Sequence, residues 1–127
     1  MLFRSGKRHD FYSEYSVGFD ELGVIRGLKL KLASRCGISP DLSGAINERA
    51  LLHIDNAYYL ENILVENYLC KTNTASNTAF RGFGGNQGMM AIENIIDHIA
   101  VSLKKDSAEI RRRNFYQKKK KIGRAHV

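Results

Sequence analysis

The chain has 127 residues and a formal net charge of +7, which bounds it to one small domain with a modest core. Six of those seven charges sit on Arg4, Lys118, Lys119, Lys120, Lys121 and Arg124, so residues 6–117 carry only +1. That distribution argues against a nucleic-acid-binding surface, and no apolar run approaches the ~20 residues needed to cross a membrane.

One DNA sequence read in opposite directions can encode both Met1–Ser5 and the Ile122–Val127 region, and it resembles a sequencing adapter. Residues 1–5 are therefore expected to be adapter-derived, residues 6–117 to be part of a domain of a longer protein, and residues 118–127 to be Lys-rich and mostly adapter-derived.

From His9 to Phe19 the residues alternate, with Phe11, Tyr15, Val17 and Phe19 on one face. Val24 to Ala33 repeats the pattern, with Leu28, Leu30 and Leu32 opposed by Lys29 and Lys31. Asp20-Glu21-Leu22-Gly23 joins them, and its glycine suits a positive φ, so the pair predicts a β-hairpin. Ser39-Pro40-Asp41 offers an N-cap, a proline and an early acid, and Leu42, Ile46, Ala50 and Ile54 recur every four residues. Those features predict a helix over 40–54, with Asn56 at its end. Ile63 to Thr72 reads as a further strand. Met89, Ile92, Ile96, Ile99 and Leu103 form a helical stripe, and Asp106 and Glu109 have capping-box spacing before a last helix over about 107–115. The order ββαβαα predicts an α+β fold, a mostly antiparallel sheet with packed helices.

Cys36 and Cys70 lack metal-ligand spacing and are expected to be free, buried thiols. The stretch Arg81-Gly82-Phe83-Gly84-Gly85-Asn86-Gln87-Gly88 is richer in chemistry. It fails the dinucleotide fingerprint at Gln87 and lacks the lysine of a P-loop. Two readings stay open on the residues alone: a helix N-terminus whose free N–H groups bind an anion, or a tight turn built for close packing. Arg81 offers a fork of donors suited to an oxyanion, and Phe83, between glycines, could wall a pocket. Arg49 lies close to the apolar face of its helix, where a structural ion pair is its ordinary role. His53 and His98 read as surface or capping residues, Glu93 and Asp97 as a solvated helix face, and Arg111–Arg113 as a charged one.

Three stretches together resemble a known family: Glu48-Arg49-Ala50-Leu51, Leu69-Cys70-Lys71-Thr72-Asn73, and Ser76-Asn77-Thr78-Ala79-Phe80-Arg81-Gly82-Phe83-Gly84-Gly85. They look like the molybdopterin-binding domain of the xanthine dehydrogenase family, and Gly6-Lys7-Arg8-His9 and Arg111-Arg112-Arg113-Asn114 fit the same region. The resemblance implies oxidative hydroxylation of xanthine or hypoxanthine with water as oxygen source, at a molybdenum held by a pterin dithiolene. It implies that Arg81, with Gly82, lies at the molybdenum cofactor, that Phe83 sandwiches the purine, and that Arg49 binds its exocyclic oxygen and stabilises developing charge. It also implies 2Fe-2S clusters and FAD elsewhere in a cytoplasmic, dimeric enzyme that passes electrons to NAD. The glutamate base has no counterpart among these residues, so the segment alone is expected to be inactive. Another molybdopterin hydroxylase acting on an aldehyde or N-heteroaromatic ring, and a non-catalytic anion-binding module, are the alternatives.

Overall fold

The computed structural model describes residues 6–117; the segments read as adapter-derived, 1–5 and 118–127, lie outside the described residues. Strands β1 (Phe11–Phe19) and β2 (Ile25–Gly37) pair antiparallel from Phe11↔Ser34 to Phe19↔Ile25. The Asp20 carboxylate closes their turn by accepting from the Leu22 and Val24 N–H groups, each at 3.0 Å, and Gly23 takes φ +86°. A side-chain oxygen replaces the missing ladder bonds there, and glycine supplies the left-handed step.

Helix α1 (Ser43–Leu52) then carries the chain over to β3 (Ile63–Lys71), which pairs parallel to β2 from Leu28↔Ile63 to Gly37↔Lys71. The sheet order is β1-β2-β3, one antiparallel and one parallel pairing, so the sheet is mixed. The parallel pairing follows from the helix between the two strands, since a hairpin turn cannot return a strand in the same direction. Helices α2 (Gly85–Leu103) and α3 (Ser107–Asn114) complete the α+β fold.

The helices pack on one face of the sheet. Leu28, Leu30 and Leu32 meet Ile92, Ile95, Ile96 and Ile99 in a core that also takes in Ile54, Tyr58 and Ile110. Each such side chain contributes roughly 1.5–3 kcal/mol on burial, so the α2 stripe is the principal fastening of the helical layer.

Two local details differ from expectation. Helix α1 starts at Ser43, not at Pro40, and no side chain caps it. The Ser39 hydroxyl bonds Ser76 Oγ at 2.6 Å instead, while Asp41 takes φ +40° in a turn closed by Ser43 N–H to Pro40 O at 2.7 Å. At α3, Asp106 does cap, accepting from the Ala108 N–H at 3.2 Å, but the Glu109 carboxylate turns forward to Arg113 rather than back to the cap. Cys36 is buried and free as expected; Cys70 is free but exposed, on the strand face that no helix covers.

Candidate functional site

The glycine-rich turn is built by its conformations. Gly82, Phe83 and Gly84 all have positive φ, at +91°, +49° and +95°. Phe83 is the bulky exception among them, since that region costs an L-residue about 1–2 kcal/mol. Such strain persists where surrounding packing over-determines it, and it clusters at functional sites.

That packing comes from the glycines. A Cβ on Gly84 would stand 2.1 Å from the Ile46 carbonyl oxygen, and one on Gly88 would stand 2.1 Å from that of Ala50. Gly85 faces the His53 ring, whose Cδ2 lies 3.4 Å from where a Cβ would be. The first turn of α2 therefore lies along α1 backbone to backbone from Ile46 to His53, and Arg49 belongs to that same stretch. Of the two readings of the glycines, close packing accounts for Gly84 and Gly88. The Gly85, Gln87 and Gly88 N–H groups are bonded within the turn, to Gly82 O, Gly84 O and Gly84 O, rather than held free for an anion.

The site residues gather at this corner. Arg81 and Gly82 are exposed on the turn, Phe83 is half-buried beside them, and Arg49 is exposed in the last turn of α1. The ion pair expected for Arg49 is not formed, and its near-apolar position on the helix does not bury it. Among the described residues Arg26, Arg35, Arg111 and Arg113 are paired with carboxylates, whereas Arg8, Arg49, Arg81 and Arg112 are not, and the guanidinium groups of Arg49 and Arg81 bond no side chain. Two unpaired, planar cations beside an exposed backbone and a half-buried aromatic ring suit a ligand that is both anionic and flat. No group of three His, Cys, Asp or Glu that could hold a bare metal ion occurs among the described residues. The exposed Arg81 guanidinium and Gly82 backbone leave donors at this corner that could meet an anionic group.

Polar residues behind the corner, which the sequence did not single out, hold it. His9 is buried, with Nε2 2.6 Å from Ser43 Oγ, and its carbonyl accepts from Gln87 Nε2 at 3.1 Å. Burial pushes the His9 imidazole below its ordinary pKa, against the opposing pull of Asp41, so the ring favours its neutral form. Arg8 lies over the Phe80 ring at 4.5 Å, next to Arg81. Nothing in the local pattern marks His9 or Gln87, because their partners lie 34 and 78 residues away.

The expected solvated faces are also corrected. Glu93 accepts from Tyr58 at 2.5 Å, Asn56 at 3.0 Å and Arg111 at 2.8 Å, and Asp97 accepts from Arg111 at 2.8 Å. These residues clamp α3 to α2. His53 Nδ1 bonds the Arg49 carbonyl at 2.8 Å, a capping role at the end of α1, while His98 stacks on Tyr15.

The sequence pattern of the molybdopterin cofactor-binding domain family matches residues 1–115. A xanthine dehydrogenase from Dictyostelium discoideum is 44% identical over 113 residues, 89% of this chain and 8% of that protein. A nicotinate hydroxylase from Emericella nidulans is 44% identical over 116 residues, 91% of this chain and 9% of that one. Among solved structures, the aldehyde oxidoreductase of Desulfovibrio gigas superposes with a TM-score of 0.83 at 25% identity, covering 91% of this chain and 13% of the enzyme. The chain thus spans under a tenth of the length of these curated relatives. The match runs through nearly the whole chain, which belongs to the molybdopterin cofactor-binding domain family.

Proposed function

We propose that this segment supplies the substrate-side wall of a molybdenum hydroxylase that oxidises hypoxanthine and xanthine. The observation that carries the reading is the unpaired Arg49 guanidinium on the helix against which the Phe83 turn is docked. Bound, the molybdenum cofactor supplies the redox chemistry that accepts the electron pair released when a ring carbon is hydroxylated with oxygen from water.

The residues here bind and orient. Phe83, fixed by its two glycine neighbours, offers a flat face to a planar ring at little entropic cost. Arg49 donates to an exocyclic oxygen of that ring and holds positive charge where negative charge develops on it, which lowers the barrier. Arg81 and Gly82 donate toward the cofactor. Exposed in this chain, Arg49 gains its full field only where other parts of the enzyme exclude water from it. The general base, the 2Fe-2S clusters and FAD, transfer to NAD, a dimeric assembly and a cytoplasmic location belong to the complete enzyme under this reading. No helix of the described residues is long and apolar enough to cross a membrane.

In the complete enzyme, Arg49→Met is expected to lower kcat/KM for xanthine by about 10²–10³-fold, the scale of one lost charge-stabilising donor. Turnover of a simple aldehyde, which has no exocyclic ring oxygen to bind, should change less than twofold. Equal loss on both substrates removes Arg49 from substrate selection. Because xanthine dehydrogenase and nicotinate hydroxylase match this chain equally at 44%, the same assay should include nicotinate. Turnover of nicotinate but not xanthine by the unsubstituted enzyme would move the substrate to a pyridine ring.

A further inference from the structure

His9 is 2% exposed, and it touches both halves of the site without belonging to either. Its ring reaches Ser43, the fully buried first residue of α1, at 2.6 Å. The ten-residue α1 is one rigid rod, so fixing Ser43 fixes Arg49. The His9 main-chain carbonyl accepts from Gln87, in the first turn of α2, four residues past Phe83. A second clasp runs alongside: Lys7 O accepts from the Thr78 N–H at 3.0 Å, and the Thr78 hydroxyl donates to Asp41 at 2.6 Å. Residues 7–9 thus tie the start of α1 to the segment that leads into the Arg81–Phe83 turn.

We propose that His9 is a positioning residue: through Ser43 on one side and Gln87 on the other, it sets the placement of Arg49 relative to Phe83, and so the alignment of a ring held between them. The inference rests on the purine reading above for what is aligned, but not for the tie itself. Its two contacts are chemically separable. The tie to α2 uses the backbone and survives any substitution at position 9, whereas the tie to α1 uses the ring nitrogen and is lost with a side chain that cannot hydrogen-bond Ser43. A loss of roughly an ångström in placement is enough to cost a reaction up to about a hundredfold without touching any reacting atom.

The test uses the complete, cofactor-loaded enzyme. His9→Phe keeps the ring volume and removes the bond to Ser43. Hydrogen exchange at the Phe83, Gly85 and Gln87 amides is expected to rise about tenfold, because the turn loses its tie to α1. The xanthine kcat/KM should fall about tenfold, carried mostly by KM, while a small aldehyde that needs neither Phe83 nor Arg49 stays within twofold. His9→Gln, whose side-chain amide can hydrogen-bond the Ser43 hydroxyl as donor or acceptor, should recover most of both effects. Should His9→Phe fail to fold, Ser43→Ala removes the same bond from the other side and must give the same pattern. Unchanged exchange overturns the proposal. So does faster exchange with equal losses on purine and aldehyde, since that describes a merely loosened structure. The purine reading is judged separately by Arg49→Met with His9 intact: if that variant loses both substrates equally, the purine reading fails, and exchange alone then decides whether His9 is the tie.

Discussion

At the scale of single residues, Gly82 and Gly84 do different work although they read alike. Gly84 combines φ +95° with a Cβ position 2.1 Å from the backbone oxygen of Ile46, and a carbonyl in a helix cannot move aside. Gly82 has φ +91°, yet its Cβ would meet only the Asn86 side-chain amide, at 1.9 Å, which can swing away. Gly84→Ala is therefore expected to destabilise the complete enzyme by about 3 kcal/mol or more, backbone strain plus a forced separation of α1 and α2. Gly82→Ala should cost only about 1 kcal/mol. Thermal unfolding together with molybdenum content checks the pair. Equal effects at the two positions would mean that conformation, not helix docking, is what these glycines provide.

At the scale of elements, α3 is held to α2 by charge and to the sheet by one amide. Asn114 accepts from the Ile25 N–H at 2.8 Å and donates to Gly23 O and Ile110 O, while Arg111 bridges Glu93 and Asp97. Burial pushes the Glu93 carboxyl up, but hydrogen bonds from Tyr58, Arg111 and Asn56 outweigh it, leaving the group below its ordinary value of 4.5. A depressed carboxyl contributes stability that is present above its unfolded pKa and is lost as pH falls through the folded one. Burial first, and then Glu93, pushes the Tyr58 phenol up to about 12 from 10.0, so its contribution is complete below pH 10 and is lost as pH rises toward 12. The clamp should weaken at both extremes. Tyr58→Phe is expected to cost about 1–2 kcal/mol near neutral pH and to flatten the alkaline limb of the stability profile while leaving the acid limb. An unchanged alkaline limb would take Tyr58 out of the clamp. These elements also show what a sequence can carry. The α2 stripe and the β1–β2 alternation are local periodicities, legible because the core selects one face. The parallel pairing of β3, the late start of α1 and the Glu93 clamp depend on partners 18 to 37 residues away in sequence, as Arg111 with Glu93, Tyr58 with Glu93 and Ser39 with Ser76 illustrate. The glycine-rich turn marks Arg81 and Phe83 by local chemistry, whereas only family resemblance joins Arg49 to them. Local pattern gave Arg49 a paired, structural part, and the structure leaves it unpaired.

At the scale of the whole molecule, the sheet is covered on one face and, among the described residues, unpaired along both its edges, β1 and β3. Leu64 and Tyr68 lie on the strand face opposite the helices, 54% and 49% exposed, and among the described residues nothing pairs with the outer edge of β3. Nine residues without proline, with apolar side chains on each face beside Glu66 and Asn67, make an edge that invites another strand. Since the chain spans about 8% of the xanthine dehydrogenase it matches, most of such a protein's length is available to cover that edge. Produced alone, the 127-residue chain is expected to self-associate through β3. Leu64→Lys with Tyr68→Lys places two charges on the uncovered face, where desolvating them against a second strand costs more than the pairing returns. Sedimentation should then shift toward the monomer with the circular dichroism of the chain unchanged. In the complete enzyme the same pair of substitutions is expected to do the reverse, lowering the melting temperature, if other parts of the enzyme cover this face. Association that persists in the lysine variant, or a complete enzyme indifferent to both charges, would place the missing partner of this segment elsewhere than on β3.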